Sequence, residues 1–256
     1  MGFGSDLDLV FLYDGVHAGL ESDGARPLDA VRYYTRLVQK IIAMLGMPTP
    51  AGRLYEADLR LRPDGGKGLL VSSVESFSAY QRERAWTWEQ QALVRARTVA
   101  GDAQVRAAFE QVRAQVLCMP RGTDMVRAEA VSMRRRMRAE LDRSREGQFD
   151  LKQGEGGLVD LEFLLQAGVL MRAHEEPAIV ASTRTPELID ALAACGFFAP
   201  ATAQALQDAH EQLASRALAC TLDGRPRLVA HDAPLDAARQ AVTQAWGEHL
   251  GEAVHG

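Results

Sequence analysis

The sequence predicts an α+β protein: a small sheet with helices in its first part, followed by an all-helical part. Two patterns predict it. Period-two alternation in β-branched and aromatic residues occurs only before about residue 73. Apolar residues at three- and four-residue steps dominate from there to the end. At 256 residues, 47% of them apolar and 25% charged, the chain is long enough for two cores.

In order, Asp6-Leu-Asp-Leu-Val-Phe-Leu-Tyr13 reads as a strand, ended by Asp14-Gly15 and a polar loop over 15–27. Asp29 is placed to cap a helix whose apolar face is Val31, Tyr34, Leu37, Val38, Ile41, Ile42 and Leu45. Gly46, Pro48 and Pro50 stop it. Arg53–Arg62 reads as a second strand closed by Pro63-Asp-Gly-Gly, and Leu69–Val71 as a short third. Beyond Val74 the spacing predicts helices over 76–84, 87–97, 103–117, 124–143 and from the Gly154–Gly157 loop to about 173, with more in 186–221 and 234–254. In the helix over 124–143, Val126, Ala130, Met133, Met137 and Leu141 form one apolar stripe. That leaves Arg134, Arg135, Arg136 and Arg138 on a solvated face. Pro120 marks a boundary between residues 1–118 and 119–256, with Trp86 and Trp88 as packing anchors between the two parts.

Charge and composition exclude several functions. The net charge of −5, with an acidic excess in both halves, argues against a nucleic-acid partner. Three cysteines, far apart, form neither a disulfide framework nor a zinc site. No apolar run reaches the length of a membrane span, and the first residues do not read as a signal peptide. A cytoplasmic protein without a membrane partner is expected. The sequence has no Walker-type loop and no Gly-x-Ser-x-Gly elbow, and its histidines have no partner at ligand or triad spacing.

The chemistry concentrates in the two predicted strands. Alternation puts Asp6 and Asp8 on one face of the first and Leu7, Leu9, Phe11 and Tyr13 on the other. The second strand points Glu56, Asp58, Arg60 and Arg62 one way and Tyr55, Ala57, Leu59 and Leu61 the other. If the strands are neighbours over one core, Asp58 joins Asp6 and Asp8. Clustered carboxylates need compensating positive charge, which a pair of divalent cations supplies. Such a pair suits in-line displacement at phosphorus, with Arg60 and Arg62 available to phosphate oxygens. Lys152, before the predicted helix N-terminus after Gly157, is a further candidate for a phosphate or partner contact, although Glu155 opposes an anion there. Asp160 and Glu162 fall on different helical faces and are not paired as metal ligands.

Four longer segments extend this reading: Gly4-Ser-Asp-Leu-Asp-Leu-Val-Phe-Leu-Tyr13, Tyr55-Glu-Ala-Asp-Leu-Arg-Leu-Arg-Pro63, Trp86-Thr-Trp-Glu-Gln-Gln-Ala-Leu-Val-Arg-Ala-Arg97 and Phe149-Asp-Leu-Lys-Gln-Gly-Glu-Gly-Gly-Leu-Val-Asp-Leu-Glu-Phe163. Together, in order and spacing, they resemble glutamine synthetase adenylyltransferase, of the polymerase-β-like nucleotidyltransferase superfamily. Family enzymes carry two catalytic halves, one adding AMP to a tyrosine of glutamine synthetase and one removing it by phosphorolysis. The segment from Ala85 to Arg97 resembles the adenylylating, C-terminal half.

The resemblance implies a nucleotidyltransferase domain over 1–118 and a helical domain over 119–256. It implies metal-binding, catalytic aspartates at Asp6, Asp8 and Asp58 and ATP with Mg²⁺ or Mn²⁺ as cofactors. Ser5, Arg60, Arg62 and Lys152 are the expected nucleotide contacts. Glutamine synthetase is the implied protein substrate, and the PII signalling protein a partner through a full-length parent. The tyrosine hydroxyl must be activated, either by a metal or by proton transfer to Asp58. The family's Gly-Gly turn, which cradles phosphates, falls before Ser5, and this sequence opens too late to include it. Three alternatives follow: a module that only docks glutamine synthetase, the adenylyl-removing reaction, or uridylylation of PII.

Overall fold

The computed structural model describes residues 6–50, 52–53 and 55–251. These form an α+β protein in two compact units, residues 6–89 with 98–116 and residues 90–97 with 117–251. Ser5 lies outside the described residues.

The first unit begins with β1 (Leu7–Asp8) and β2 (Phe11–Tyr13), followed by helix α1 (Ala30–Leu45). Asp29 caps α1 by accepting from the Arg32 N–H at 2.9 Å. A two-residue antiparallel pair, β3 (Pro48–Thr49) and β4 (Gly52–Arg53), leads to β5 (Ala57–Asp58) and β6 (Val71–Ser73). β1 pairs with β5 and β2 with β6, both in parallel. Parallel strands need a crossover connection, and α1 lies within it. Tyr13, Ala30, Val38 and Val71 form the core, flanked by Phe11, Val31, Tyr34, Ile42 and Leu70. Tyr13 and Tyr34 stack with ring centroids 4.9 Å apart. Leu37 is exposed, so the packed face of α1 is narrower than its apolar pattern.

Both long strands are shorter than the alternation predicts. The first is interrupted at Leu9–Val10, and the second ends at Asp58, with residues 59–62 outside any strand. The cause is side-chain competition for the backbone: the Asp58 carboxylate accepts from the Arg60 N–H at 2.8 Å, which bends the chain. The third strand ends two residues later than expected, where Ser73 also caps α2 (Val74–Glu83) through the Ser76 N–H. Helices α3 (Thr87–Arg95) and α4 (Ala103–Leu117) follow. Trp86 and Trp88 are exposed.

The second unit is built on α6 (Leu158–Arg172), apolar around most of its circumference and touching four other helices. These are α5 (Thr123–Leu141), α7 (Thr185–Ala194), α8 (Pro200–Leu222) and α9 (Ala233–Leu250). One antiparallel pair, β7 (Gln148–Asp150) with β8 (Leu228–Ala230), interrupts the helices. Of the arginines expected on a solvated face of α5, Arg135 and Arg136 are exposed, whereas Arg134 is buried and Arg138 half-buried. Val126, Ala130 and Arg134 form its buried line, while Leu141 is exposed. Arg134, 1% exposed, donates from Nε to Asp160 at 2.5 Å and from both terminal nitrogens to Gln153. Arg138 donates to the other Asp160 oxygen at 2.6 Å, and the Gly156 N–H to the same oxygen at 2.7 Å. A buried charge is tolerated when paired and hydrogen-bonded in this way. Gly156 sits at φ 77°, and a Cβ there would stand 2.6 Å from the Arg239 carbonyl oxygen. Among the described residues no helix is long and apolar enough to cross a membrane.

Candidate active site

The parallel register sets Asp8 directly opposite Asp58. The Leu7 N–H donates to the Glu56 carbonyl and the Leu9 N–H to the Asp58 carbonyl, at 2.7 and 2.8 Å, which fixes that register on both sides. Neighbouring strands lie about 4.8 Å apart and paired residues share a face. Asp6 and Asp8 are exposed, whereas the Asp58 side chain is 14% exposed. The polar face inferred from alternation therefore exists, with Glu56 also exposed beside Asp58.

Arg60 supplies the positive charge at this face. Its Nε donates to both Asp58 oxygens, at 3.0 Å to Oδ1 and 2.7 Å to Oδ2, and its Nη2 also donates to Oδ2. These hydrogen bonds hold the Asp58 carboxyl below its ordinary range. Arg60 in turn is raised above its ordinary range, first by its bonds to Asp58 and then by the charges of Asp8 and Asp6. All three aspartates thus act on one guanidinium.

The charge of Arg62 adds to the lowering of Asp58, while its guanidinium is bonded elsewhere. Its guanidinium donates to the Leu59, Gly66 and Gly68 carbonyls at 2.8, 3.1 and 3.3 Å. These bonds fasten the turn after Asp58 to the Gly65–Gly68 loop. Gly68 is required there, since a Cβ would stand 1.8 Å from the Pro63 carbonyl oxygen. Sequence alternation missed this because it assumes an unbroken strand. The Pro63-Asp-Gly-Gly cluster was the available signal of a loop that an arginine must close.

Lys152 belongs to the second unit and is exposed. Its N–H donates to the Asp150 carboxylate at 2.9 Å, as does that of Gln153. The neighbouring Gly156 amide is taken by Asp160, so the chain's own carboxylate fills the anion position anticipated at this helix start.

Asp6, Asp8 and Asp58 are the oxygen-donor type that a hard divalent cation takes. Among the described residues no three His, Cys, Asp or Glu side chains are gathered closely enough to hold a metal ion. Asp58 is directed into the Arg60 fork instead.

Residues 1–112 match the family model described as glutamate-ammonia ligase adenylyltransferase. Residues 130–254 match that of PII-uridylyltransferase. Among curated relatives, the bifunctional glutamine synthetase adenylyltransferase/adenylyl-removing enzyme of Stenotrophomonas maltophilia (strain K279a) is 60% identical over 245 residues, 96% of this chain and 26% of that protein. The enzymes so named in Xanthomonas campestris pv. campestris (strain B100) and Nitrosococcus oceani are 56% and 45% identical, over 94% and 98% of this chain and 26% of each relative. The chain spans about a quarter of the length of these relatives. It is accordingly a relative, across nearly all of its own residues, of the bifunctional glutamine synthetase adenylyltransferase/adenylyl-removing enzymes.

Proposed function

We propose that this chain carries an adenylyl-transfer site that moves AMP from ATP to a tyrosine hydroxyl of glutamine synthetase. The observation that carries the reading is the Asp8–Asp58 pairing beside Asp6, with all three carboxylates acting on Arg60. In this reading residues 1–118 form the transferase part and 119–256 the helical part. Asp6, Asp8 and Asp58 hold Mg²⁺ or Mn²⁺, and Arg60 contacts the nucleotide. Ser5 and Lys152 are further nucleotide contacts in the same proposal.

The tyrosine hydroxyl passes its proton to Asp58 as its oxygen attacks the α-phosphorus, the bond to the bridging oxygen breaks, and pyrophosphate leaves. The bound cations supply charge neutralisation at phosphorus and at the leaving group. The aspartates orient the cations, and Arg60 offers a forked donor to phosphate oxygens. Positioning and charge therefore account for the chemistry, with no covalent enzyme intermediate. In the alternative reading, adenylyl removal, phosphate would be the nucleophile at this site and ADP the product, with the tyrosine hydroxyl restored.

The match of residues 130–254 to PII-uridylyltransferase supports a second reading, uridylylation of PII. That match lies outside the three aspartates, so the nucleotide chemistry rests on the first unit, where the adenylyltransferase match lies. Incubation with glutamine synthetase, Mg²⁺ and ATP labelled at the α-phosphorus separates the readings. Label on glutamine synthetase that disappears in Asp6→Ala supports adenylylation. Label from UTP on PII alone supports uridylylation, and capture of glutamine synthetase without label supports a docking module.

A further inference from the structure

We propose that Arg60 is an exchangeable counter-ion: it occupies Asp58 Oδ2 in the cation-free protein and releases that oxygen when a divalent cation binds, becoming available to nucleotide phosphate. This rests on the cation site proposed above and adds to it a role for this chain's own guanidinium.

The two Asp58 oxygens are held differently. Oδ1 accepts the Arg60 backbone N–H at 2.8 Å as well as Nε at 3.0 Å. Oδ2 is held by the guanidinium alone, through Nε at 2.7 Å and Nη2. Loss of the guanidinium therefore opens Oδ2 and leaves Oδ1 anchored, so the carboxylate keeps its orientation. The backbone around it is fixed independently. β1–β5 pairing holds Asp58 on one side, and Arg62 grips the Leu59 carbonyl on the other. The Arg60 side chain has to leave. The Asp6 and Asp8 carboxylates have to turn toward the opened oxygen, since they are not gathered closely enough to hold a cation without it.

Release of Arg60 is inexpensive. The Arg60 side chain is 83% exposed, and an exposed ion pair contributes little because water and salt screen it. Its partner Asp58 is far less exposed, so a metal dication there meets weaker screening than Arg60 does. The remaining aspartates, Asp8 and Asp6, already lie within the electrostatic reach of the guanidinium and would act on a cation replacing it. A released guanidinium retains its planar fork, which matches phosphate oxygens as well as carboxylate.

The test is direct Mn²⁺ binding to the full chain, without nucleotide and at low ionic strength, followed by the electron paramagnetic resonance of free Mn²⁺. Arg60→Ala and Arg60→Gln are expected to bind Mn²⁺ about two- to five-fold more tightly than the parent, the range an exposed pair commands. The same variants are expected to bind ATP more weakly in the presence of Mn²⁺, so the two affinities move in opposite directions. Mn²⁺ affinity that is unchanged or lowered in both variants overturns the exchange. Asp58→Asn separates this from the underlying reading: if it binds Mn²⁺ as tightly as the parent, the cation site itself is misassigned. Arg60→Lys, which keeps the charge without the fork, is expected to fall between parent and Arg60→Ala for Mn²⁺. Circular dichroism of each variant establishes that it is folded.

Discussion

Asp8 and Asp58 stand directly opposite one another in the parallel β1–β5 pair. Like charges placed opposite in a sheet destabilise it, and here Arg60 offsets the repulsion. A pairing that costs stability and is balanced by one exposed arginine is expected of a site kept for chemistry. Asp8→Asn is therefore expected to reduce AMP transfer by about 100-fold or more, the scale of a lost electrostatic contributor. Its melting temperature is expected to stay level or rise. Paired transfer assays and thermal melts check this, and a fall in both together would indicate a merely structural aspartate.

The Arg62 grip on the Gly65–Gly68 loop makes a separate expectation. Gly68→Ala drives a Cβ into the Pro63 carbonyl and must displace the loop. Arg62→Ala leaves the Leu59, Gly66 and Gly68 carbonyls without their shared donor. Both variants are expected to lower the rate of transfer at saturating ATP more than they raise the KM for ATP, because they loosen the backbone after Asp58. Steady-state kinetics with ATP varied reads the split, and a pure KM effect would point to a phosphate-contact role for Arg62.

Arg134→Ala should be among the most destabilising single changes in the second unit. It removes one partner of a buried ion pair and leaves Gln153 without its donors, a loss of about 3–5 kcal/mol. Urea denaturation measures it. Arg135→Ala, on the same helix but outside that network, is the contrast and is expected to change stability by about 0.5 kcal/mol or less.

These residues show how far the sequence could be read. The shared face of Asp8 and Asp58 was legible because alternation survives even in very short strands. Asp29 as a cap and α4 over 103–117 were legible because both are local. Arg134 was not. Its burial depends on Asp160, 26 residues away, and hydrophobic periodicity assigns any arginine to water. The strand expected over 59–62 fails because the turn there is set by side-chain bonds to backbone, which a strand pattern does not encode. The β7–β8 pair was missed because each strand is three residues long within a helical stretch.

Two histidines give the second unit an acid sensitivity. Burial lowers His210, with Arg95 acting in the same direction and Glu162 against it. Burial also lowers His249, which packs against Phe197 and Phe198, with Glu248 opposing and Arg127 adding to the effect. Both are held neutral in the folded state, so the unfolded chain binds more protons just below the ordinary value of 6.5. Stability is expected to be full above that value and to decline as pH falls from it toward the lowered folded values. Melting temperatures from pH 7.5 to 5 should show the decline, and a His210→Gln, His249→Gln double variant should flatten it.

The central claim is that Asp6, Asp8 and Asp58 together hold a divalent cation. Paramagnetic broadening of backbone amide resonances by sub-stoichiometric Mn²⁺ in the presence of ATP tests it most directly. The account predicts that amides of residues 6–9 and 56–60 broaden first and that Asp8→Asn suppresses the effect. Broadening centred on residues 150–160, or spread evenly over the chain, would contradict it.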